Sequence, residues 1–446
     1  MDDTRKSFRS RATAVEKAIS PDAHGISLLV KCPDKACHVL FTVYIFLAYT
    51  IFEHARVYVR GGRNAASSPS SLWCKLGIAA LGMGLAGRTA LADAREADND
   101  SCNERRKRRV SANCKETITE EKDGEEPLFR FGVIADVQYA DIDDGTNFHG
   151  SEFRYYRGTL QSLRKAVDYW NNHAPDIQFI AQLGDLIDGQ NAGKYGEGLK
   201  MECPQTEPAF KSVMREFGRS FCTKVHHAIG NHELYNFGRD SLYMLLFKDK
   251  KGMDGGGDND GVCAERLYYS FKPHKSWRLI MLDSYDISLE GRDEKSPEYI
   301  QARQMIDANN PNIRKGTNWF DGIPPERQRF VPFNGAIGAR QMEWLRGELE
   351  EATRNNEKAI IMTHIPLDPK AASLKTVIWD YPEVTSMLGK YDCVSLVLAG
   401  HYHPGGYTVN GNGCHHLTIH GSLTHEHGSY GVVNVYGDRI TLHGEG

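Results

Sequence analysis

Five apolar runs, each broken off by a residue able to hold a metal ion, constrain this chain more than any other feature. They end at Asp136 (FGVIAD), Asp185 (IQFIAQLGD), Asn231 (KVHHAIGN), His364 (AIIMTH) and His401 (VSLVLAGH). A short continuous apolar run reads as a strand buried on both faces, and sheets of that kind collect chemistry beyond their carboxyl ends. Helical periodicities separate the runs. Leu160, Leu163, Val167 and Trp170 share one face of FRYYRGTLQSLRKAVDYW, as Met342, Leu345 and Leu349 do in GARQMEWLRGELEEATRNN. YYSFKPHKSWRLIMLDS reads as a hairpin, and the tail reads as turn-linked strands with NG and GD at the turns. The fold class is therefore α/β, a layered sandwich with mixed sheets.

Composition narrows the partners. A net charge of −4 over 446 residues gives no reason to expect nucleic acid. Ten cysteines form no CxxC pair, which points to a reducing, cytoplasmic setting. Residues 1–125 differ in kind from the rest, with a Gly/Ser/Pro-rich stretch at 61–72 and clustered charges over 92–126. They read as a largely disordered extension ahead of a domain spanning 126–446, and the basic ERRKRRV cluster reads as solvated linker. Within the extension, Cys37–Phe52 carries no Asp, Glu, Lys or Arg over 16 residues. That is short of the ~20 a transmembrane helix needs, so a membrane anchor at 37–52 is the alternative rather than the favoured reading.

The residues at the strand ends are Asp136-Val-Gln138, Gly184-Asp185, Gly230-Asn231-His232-Glu233, His364 and Gly400-His401-Tyr402-His403. Five such fragments in order, each after an apolar run, bring metal-binding side chains to one edge of the sheets. An extended backbone would point His401 and His403 the same way. Glycines 184, 230 and 400 would let the chain turn sharply beneath the ions. Imidazole, carboxylate and amide oxygen together suit Mn²⁺, Fe or Zn better than Ca²⁺.

This order resembles the calcineurin-like metallophosphoesterases, with their DxH, GDxxD, GNHE, lone His and GHxH pattern, from about Phe131 to Gly446. The resemblance implies an α/β/β/α sandwich of two mixed β-sheets. It also implies one cation on Asp136, Gln138, Asp185 and His403 and another on Asp185, Asn231, His364 and His401. Asp185 would lend one oxygen to each cation and be essential to catalysis. His232 would contact phosphate and protonate a leaving group, and Asp188 would orient its turn. Gln138 departs from the pattern by replacing imidazole with a harder amide oxygen, which leans the site towards Mn²⁺, with Zn²⁺, Fe and Mg²⁺ as the alternative ions. The same DxQ marks the branch of manganese-dependent ADP-ribose/CDP-alcohol diphosphatases, which the chain also resembles in ADVQYAD, FRYYR, HHAIGNHELYNF and its tail.

The resemblance implies hydrolysis of the diphosphate bond in ADP-ribose, CDP-choline and similar nucleotides by a monomer acting on small molecules. Phe148 is the candidate for stacking on the base. Arg154, Arg157 and Arg239 are candidates for a distal phosphate. A long insertion over 287–335 is a candidate lid. The alternatives are a phosphomonoesterase or protein phosphatase on the same fold, and a metal-binding scaffold without turnover. His226 and His227 read as sheet residues, and the histidines from His415 to His427 as alternating strand positions rather than a further metal site.

Overall fold

The computed structural model describes residues 125–147, 150, 152–193, 204–248 and 262–445, together with the backbone of 16–19, 26–31 and 38–43. Its strands are, in chain order, β1 (Glu16–Ile19), β2 (Ile26–Lys31), β3 (His38–Val43), β4 (Phe129–Ile134), β5 (Gly145–Thr146), β6 (Phe153–Arg154), β7 (Ile180–Gln182) and β8 (Val225–His227). They continue with β9 (Tyr269–His274), β10 (Trp277–Met281), β11 (Lys358–Met362), β12 (Val394–Ala399), β13 (Gly406–Val409), β14 (His415–Thr418), β15 (Tyr430–Val435) and β16 (Arg439–Glu445). One sheet runs β1-β2-β3-β16-β15-β4-β7-β8 and the other β13-β14-β12-β11-β10-β9. Both are mixed: β4, β7 and β8 are parallel, as are β10, β11, β12 and β14, with antiparallel partners at their flanks.

The sheets pack through aromatic side chains that the alternation of each strand turns inward. Phe129 meets Trp277 edge-on at 6.2 Å, and Phe179 meets Phe271 at 5.2 Å. Helix α1 (Thr159–His173) buries Leu163, Ala166, Val167 and Trp170, and the Trp170 indole N–H donates to the Gly431 carbonyl at 2.9 Å. Truncating such a ring costs about 3–5 kcal/mol. Helix α2 (Gly338–Arg354) turns Gln341, Leu345, Leu349 and Ala352 inward, while Met342 is only partly buried. The predicted hairpin is β9–β10, and the predicted tail strands pair as β13–β14 and β15–β16.

The insertion over 287–335 is folded rather than irregular. A pair of backbone bonds between Ile287 and Ala336, both 2.9 Å, pinches its base. Its helix α3 (Pro297–Asn309) starts on Ser296, whose hydroxyl accepts from the Tyr299 N–H, and Pro297 lies in the first turn where no N–H is needed. Ile287, Ala302, Ile306, Phe330 and Trp379 form a small core of their own.

Of the 37–52 run the structure describes only β3, which lies parallel to β16; the remainder is outside the described residues. Among the described residues no helix is long and apolar enough to cross a membrane.

Candidate metal centre

The strands stop short of the chemistry. β4 ends at Ile134, β7 at Gln182, β8 at His227, β11 at Met362 and β12 at Ala399, so the candidate residues sit beyond the strands, on the turns that follow or, for Asn231 and His232, at the start of the helix Asn231–Asn236. Four of those residues adopt left-handed backbone although they are not glycine: Asp136 (φ 51°), Gln138 (φ 42°), Asp185 (φ 62°) and His401 (φ 66°). Such conformations cost of order 1–3 kcal/mol each and persist only where the surroundings enforce them. Here they replace the extended backbone expected at His401. Of the three glycines expected to turn sharply, Gly184 alone has positive φ (97°). Gly230 is extended, and its lack of a side chain instead admits the Asp185 carboxylate.

Asp136, Gln138, Asp185, Asn231, His364 and His403 are all nearly or fully buried and converge on one another. The Asp136 carboxylate accepts the His401 backbone N–H at 3.0–3.1 Å and lies 3.5 Å from His403 Nε2. Asp185 was expected to give one oxygen to each half of the centre. Instead its Oδ2 faces both, 2.9 Å from Gln138 Nε2 and 3.4 Å from His364 Nε2, while Oδ1 accepts the His232 backbone N–H at 2.9 Å. Asp185, His364 and His401 offer ligand atoms within 4.8 Å of one another.

Hydrogen bonds at the back of each imidazole fix which nitrogen faces inward. His364 Nδ1 lies 2.7 Å from the Leu183 carbonyl, His401 Nε2 lies 2.8 Å from Asn334 Oδ1, and His403 Nδ1 lies 2.8 Å from Glu152 Oε1. Each of these partners can only accept, so the outer nitrogens carry protons and the inner ones are the nitrogens that a cation would claim. His364 Nε2 and His401 Nδ1 then confront each other at 3.1 Å, a repulsive contact unless a proton or cation lies between them.

The carboxylates also draw positive charge to this centre. Burial pulls His364 down, but Asp185 lifts it to about 9. Burial likewise opposes His403, and Asp136 and Glu152 lift it to about 9. Burial and the neighbouring His364 together drive His401 well below its ordinary value. Gln138 Nε2 donates to Asp185 Oδ2 at 2.9 Å and lies 3.0 Å from His403 Nε2, so the amide occupies the side where a cation would sit. Its Oε1 is buried with no partner, and a half-turn of the amide would hand that oxygen to a cation. The residues present therefore fit divalent metal.

Three supports went unseen in the sequence. Glu233 accepts the backbone N–H of Asp185 (2.7 Å), Leu186 (2.5 Å) and Gly230 (2.8 Å), clamping the second turn to the third. Burial and the nearby Asp185 raise its carboxyl to about 7. Its signal was present in GNHE, as a glutamate three residues after the helix cap. Glu152, held by Arg154 at 3.0 Å, orients His403 from 251 residues away, and Asn334 orients His401; nothing local announces either. Burial opposes ionisation of Glu152, yet His403 and Arg154 bring it to about 2.

His232 lies beside this core. The Gly189 N–H donates to its Nδ1 at 2.7 Å, leaving the proton on Nε2, which is 3.9 Å from Asp185 Oδ2. Burial opposes its charge, but Asp185 and Asp188 raise its pKa overall. Asp188 caps its turn by accepting the Gln190 N–H.

Arg154, Arg157 and Arg239 are each engaged by carboxylates of the chain: Glu152, the Asp141–Asp143 pair and Asp283, respectively. His226 stacks on Phe271 at 3.8 Å, and His227 lies 3.1 Å from Gln182 Oε1, so both belong to the sheets. His415 pairs with the Tyr407 hydroxyl, and His420 with His425. Phe148 lies outside the described residues.

Comparison with known proteins follows the same lines. The family model for calcineurin-like phosphoesterase matches residues 129–405. A relative from Arabidopsis thaliana named manganese-dependent ADP-ribose/CDP-alcohol diphosphatase is 38% identical over 323 residues, covering 72% of this chain and 94% of the relative. A protein of that name from Homo sapiens is 36% identical over 328 residues, covering 73% of this chain and 92% of the relative. The crystal structure of a dimetal phosphatase from Danio rerio superposes with a TM-score of 0.63 at 34% identity, covering 72% of this chain and 97% of that one.

Proposed function

Since the chain belongs to the calcineurin-like phosphoesterase family, we propose that it is a Mn²⁺-dependent hydrolase of the diphosphate bond in ADP-ribose, CDP-choline and other CDP-alcohols. Products would be AMP with ribose 5-phosphate, or CMP with the phospho-alcohol. The observation that carries this reading is the buried amide of Gln138, with its unpartnered oxygen, set between Asp185 and His403 where the wider family uses imidazole. Relatives at 34–38% identity whose names state this activity support it.

Asp136, Gln138, Asp185 and His403 would hold one cation, and Asp185, Asn231, His364 and His401 the other. Bound there, the two ions supply Lewis-acid charge at the phosphoryl oxygens and make water nucleophilic at neutral pH. The chain's own residues do the rest. Asp185 keeps one oxygen between both halves because the His232 backbone N–H restrains the other. Glu233 and the back-side acceptors hold the ligand set in place before substrate arrives, which spares reorganisation during the reaction. His232 holds a proton on Nε2 at the rim of the centre, where it can meet a departing phosphate oxygen. A released phosphate monoester has a second pKa of ~6, so that proton serves charge more than leaving-group ability. Phe148, in the loop that begins at Asp136 and Gln138, would stack on the base. The enzyme would act as a cytoplasmic monomer on small nucleotides, not on nucleic acid.

The test is turnover by the full chain over ADP-ribose, CDP-choline, p-nitrophenyl phosphate and a phosphopeptide, with Mn²⁺ and after chelation. The two diphosphates should be hydrolysed fastest, with loss of activity on chelation. Preference for the monoester or the phosphopeptide would favour the phosphatase reading. No turnover with two Mn²⁺ bound would favour a scaffold.

A further inference from the structure

We propose that the insertion over 287–335 is a working part of one half of the metal centre, with Asn334 inside it and Tyr285, just outside it and engaged by its Phe333 carbonyl, as the positioning residues. The proposal rests on the ligand sets given above. Asn334 is fully buried and stands two residues inside the pinch formed by Ile287 and Ala336. Its amide nitrogen donates to the Arg329 carbonyl at 2.9 Å and to the Lys375 carbonyl at 2.8 Å. With both hydrogens engaged, Oδ1 has one orientation, towards His401 Nε2. That contact forces the His401 proton outward and its Nδ1 lone pair inward, to the side shared with His364.

Tyr285 treats the second amide the same way. Its buried hydroxyl lies 3.1 Å from Asn231 Oδ1 and 3.1 Å from the Phe333 carbonyl, the residue before Asn334. Asn231 Nδ2 donates to the Tyr235 hydroxyl at 3.2 Å, so Oδ1 is the atom left facing His364. An amide oxygen has two lone pairs, so Asn231 Oδ1 can accept from the tyrosine and still offer one to a cation. Two adjacent insertion residues, Phe333 and Asn334, thereby brace Asn231 and His401. Both braced residues belong to the Asp185–Asn231–His364–His401 set. The Asp136–Gln138–Asp185–His403 set has its own brace, Glu152, on the short β5–β6 hairpin. The two halves therefore depend on different parts of the chain, and the insertion governs one of them.

The experiment is titration of the full-length chain with Mn²⁺, following free ion by its EPR signal, so that each bound ion is counted without reference to turnover. Removing a partner of this kind typically weakens metal binding about 10–100-fold. Asn334→Ala and Tyr285→Phe should each weaken one of the two ions by that factor and leave the other unchanged. Glu152→Gln should leave the ion that they affect unchanged. Asn334→Asp keeps the acceptor for His401 but loses both hydrogens given to the carbonyls. Recovery of binding in Asn334→Asp therefore separates orientation of His401 from simple bracing of the loop. His401→Ala tests the ligand set itself and should lose one ion. Loss of one ion in His401→Ala, with unchanged binding in Asn334→Ala and Tyr285→Phe, overturns the proposal and spares the ligand assignment. Equal weakening of both ions by those two variants overturns it likewise. Two ions retained in His401→Ala overturn the ligand assignment and the proposal with it.

Discussion

Adding one methyl group at Gly230 should disable the centre. A Cβ there would lie 2.0 Å from Asp185 Oδ1, 2.7 Å from its backbone nitrogen and 2.8 Å from its Cγ, whereas ordinary contact begins at 3.4 Å. The carboxylate or its turn must retreat by about 1.4 Å to clear it. Neither partner is free to yield. The Asp185 N–H is bound to Glu233, Oδ1 accepts the His232 N–H, and Gly230 itself is held to Glu233. Overpacking of this sort costs about 1–3 kcal/mol, while a 1 Å misplacement in an active site costs on the order of 10² in rate. Gly230→Ala should therefore lower kcat/KM for ADP-ribose on the order of 100-fold, with a fall in Tm of a few degrees. Gly347 on α2 is the control, because a Cβ there meets nothing within 4 Å. Gly347→Ala should leave kinetics unchanged and add about 0.4–1 kcal/mol of stability. Wild-type kcat/KM in Gly230→Ala would refute the view that Asp185 is held by the absence of that methyl group.

Other outcomes are equally direct. Asp185→Asn should abolish turnover even at saturating Mn²⁺, since the one oxygen that faces both halves loses its charge; substantial residual activity would overturn the two-metal reading. Gln138→His should still bind metal but raise activity with Zn²⁺ relative to Mn²⁺, and an unchanged ratio would show that the amide does not set metal preference. Asp380, before the helix Tyr381–Leu388, has its carboxyl raised by burial from 3.8 to about 7. A raised carboxyl gives its full contribution to stability below pH 3.8 and loses it as pH climbs through 7. Asp380→Asn should thus gain stability relative to wild type between pH 5 and pH 8 by a few kcal/mol. Urea denaturation at both pH values checks this, and a constant difference would refute it.

Much of this protein could be read from local sequence, because local sequence carries the relevant physics. Apolar continuity marks Phe131–Ala135, Ile177–Leu183 and Val394–Ala399 as buried segments, and NG and GD mark the tail's turns. The candidate ligands follow those runs directly, so their order along the chain was legible before any geometry. The Gly230–Glu233 fragment even contained the glutamate that clamps two turns, although its partners could not be inferred. What the tertiary structure decided is contact between residues far apart in the chain. Glu152 on His403 spans 251 residues, Asn334 on His401 spans 67, and Tyr285 on Asn231 spans 54. No periodicity encodes such pairs, because each arises from where two separate turns are brought by the packing of two sheets. The left-handed backbone at Asp136, Gln138, Asp185 and His401 was likewise beyond sequence reasoning. Residue type disfavours that conformation at each position, and only the surrounding hydrogen bonds and buried neighbours overrule it.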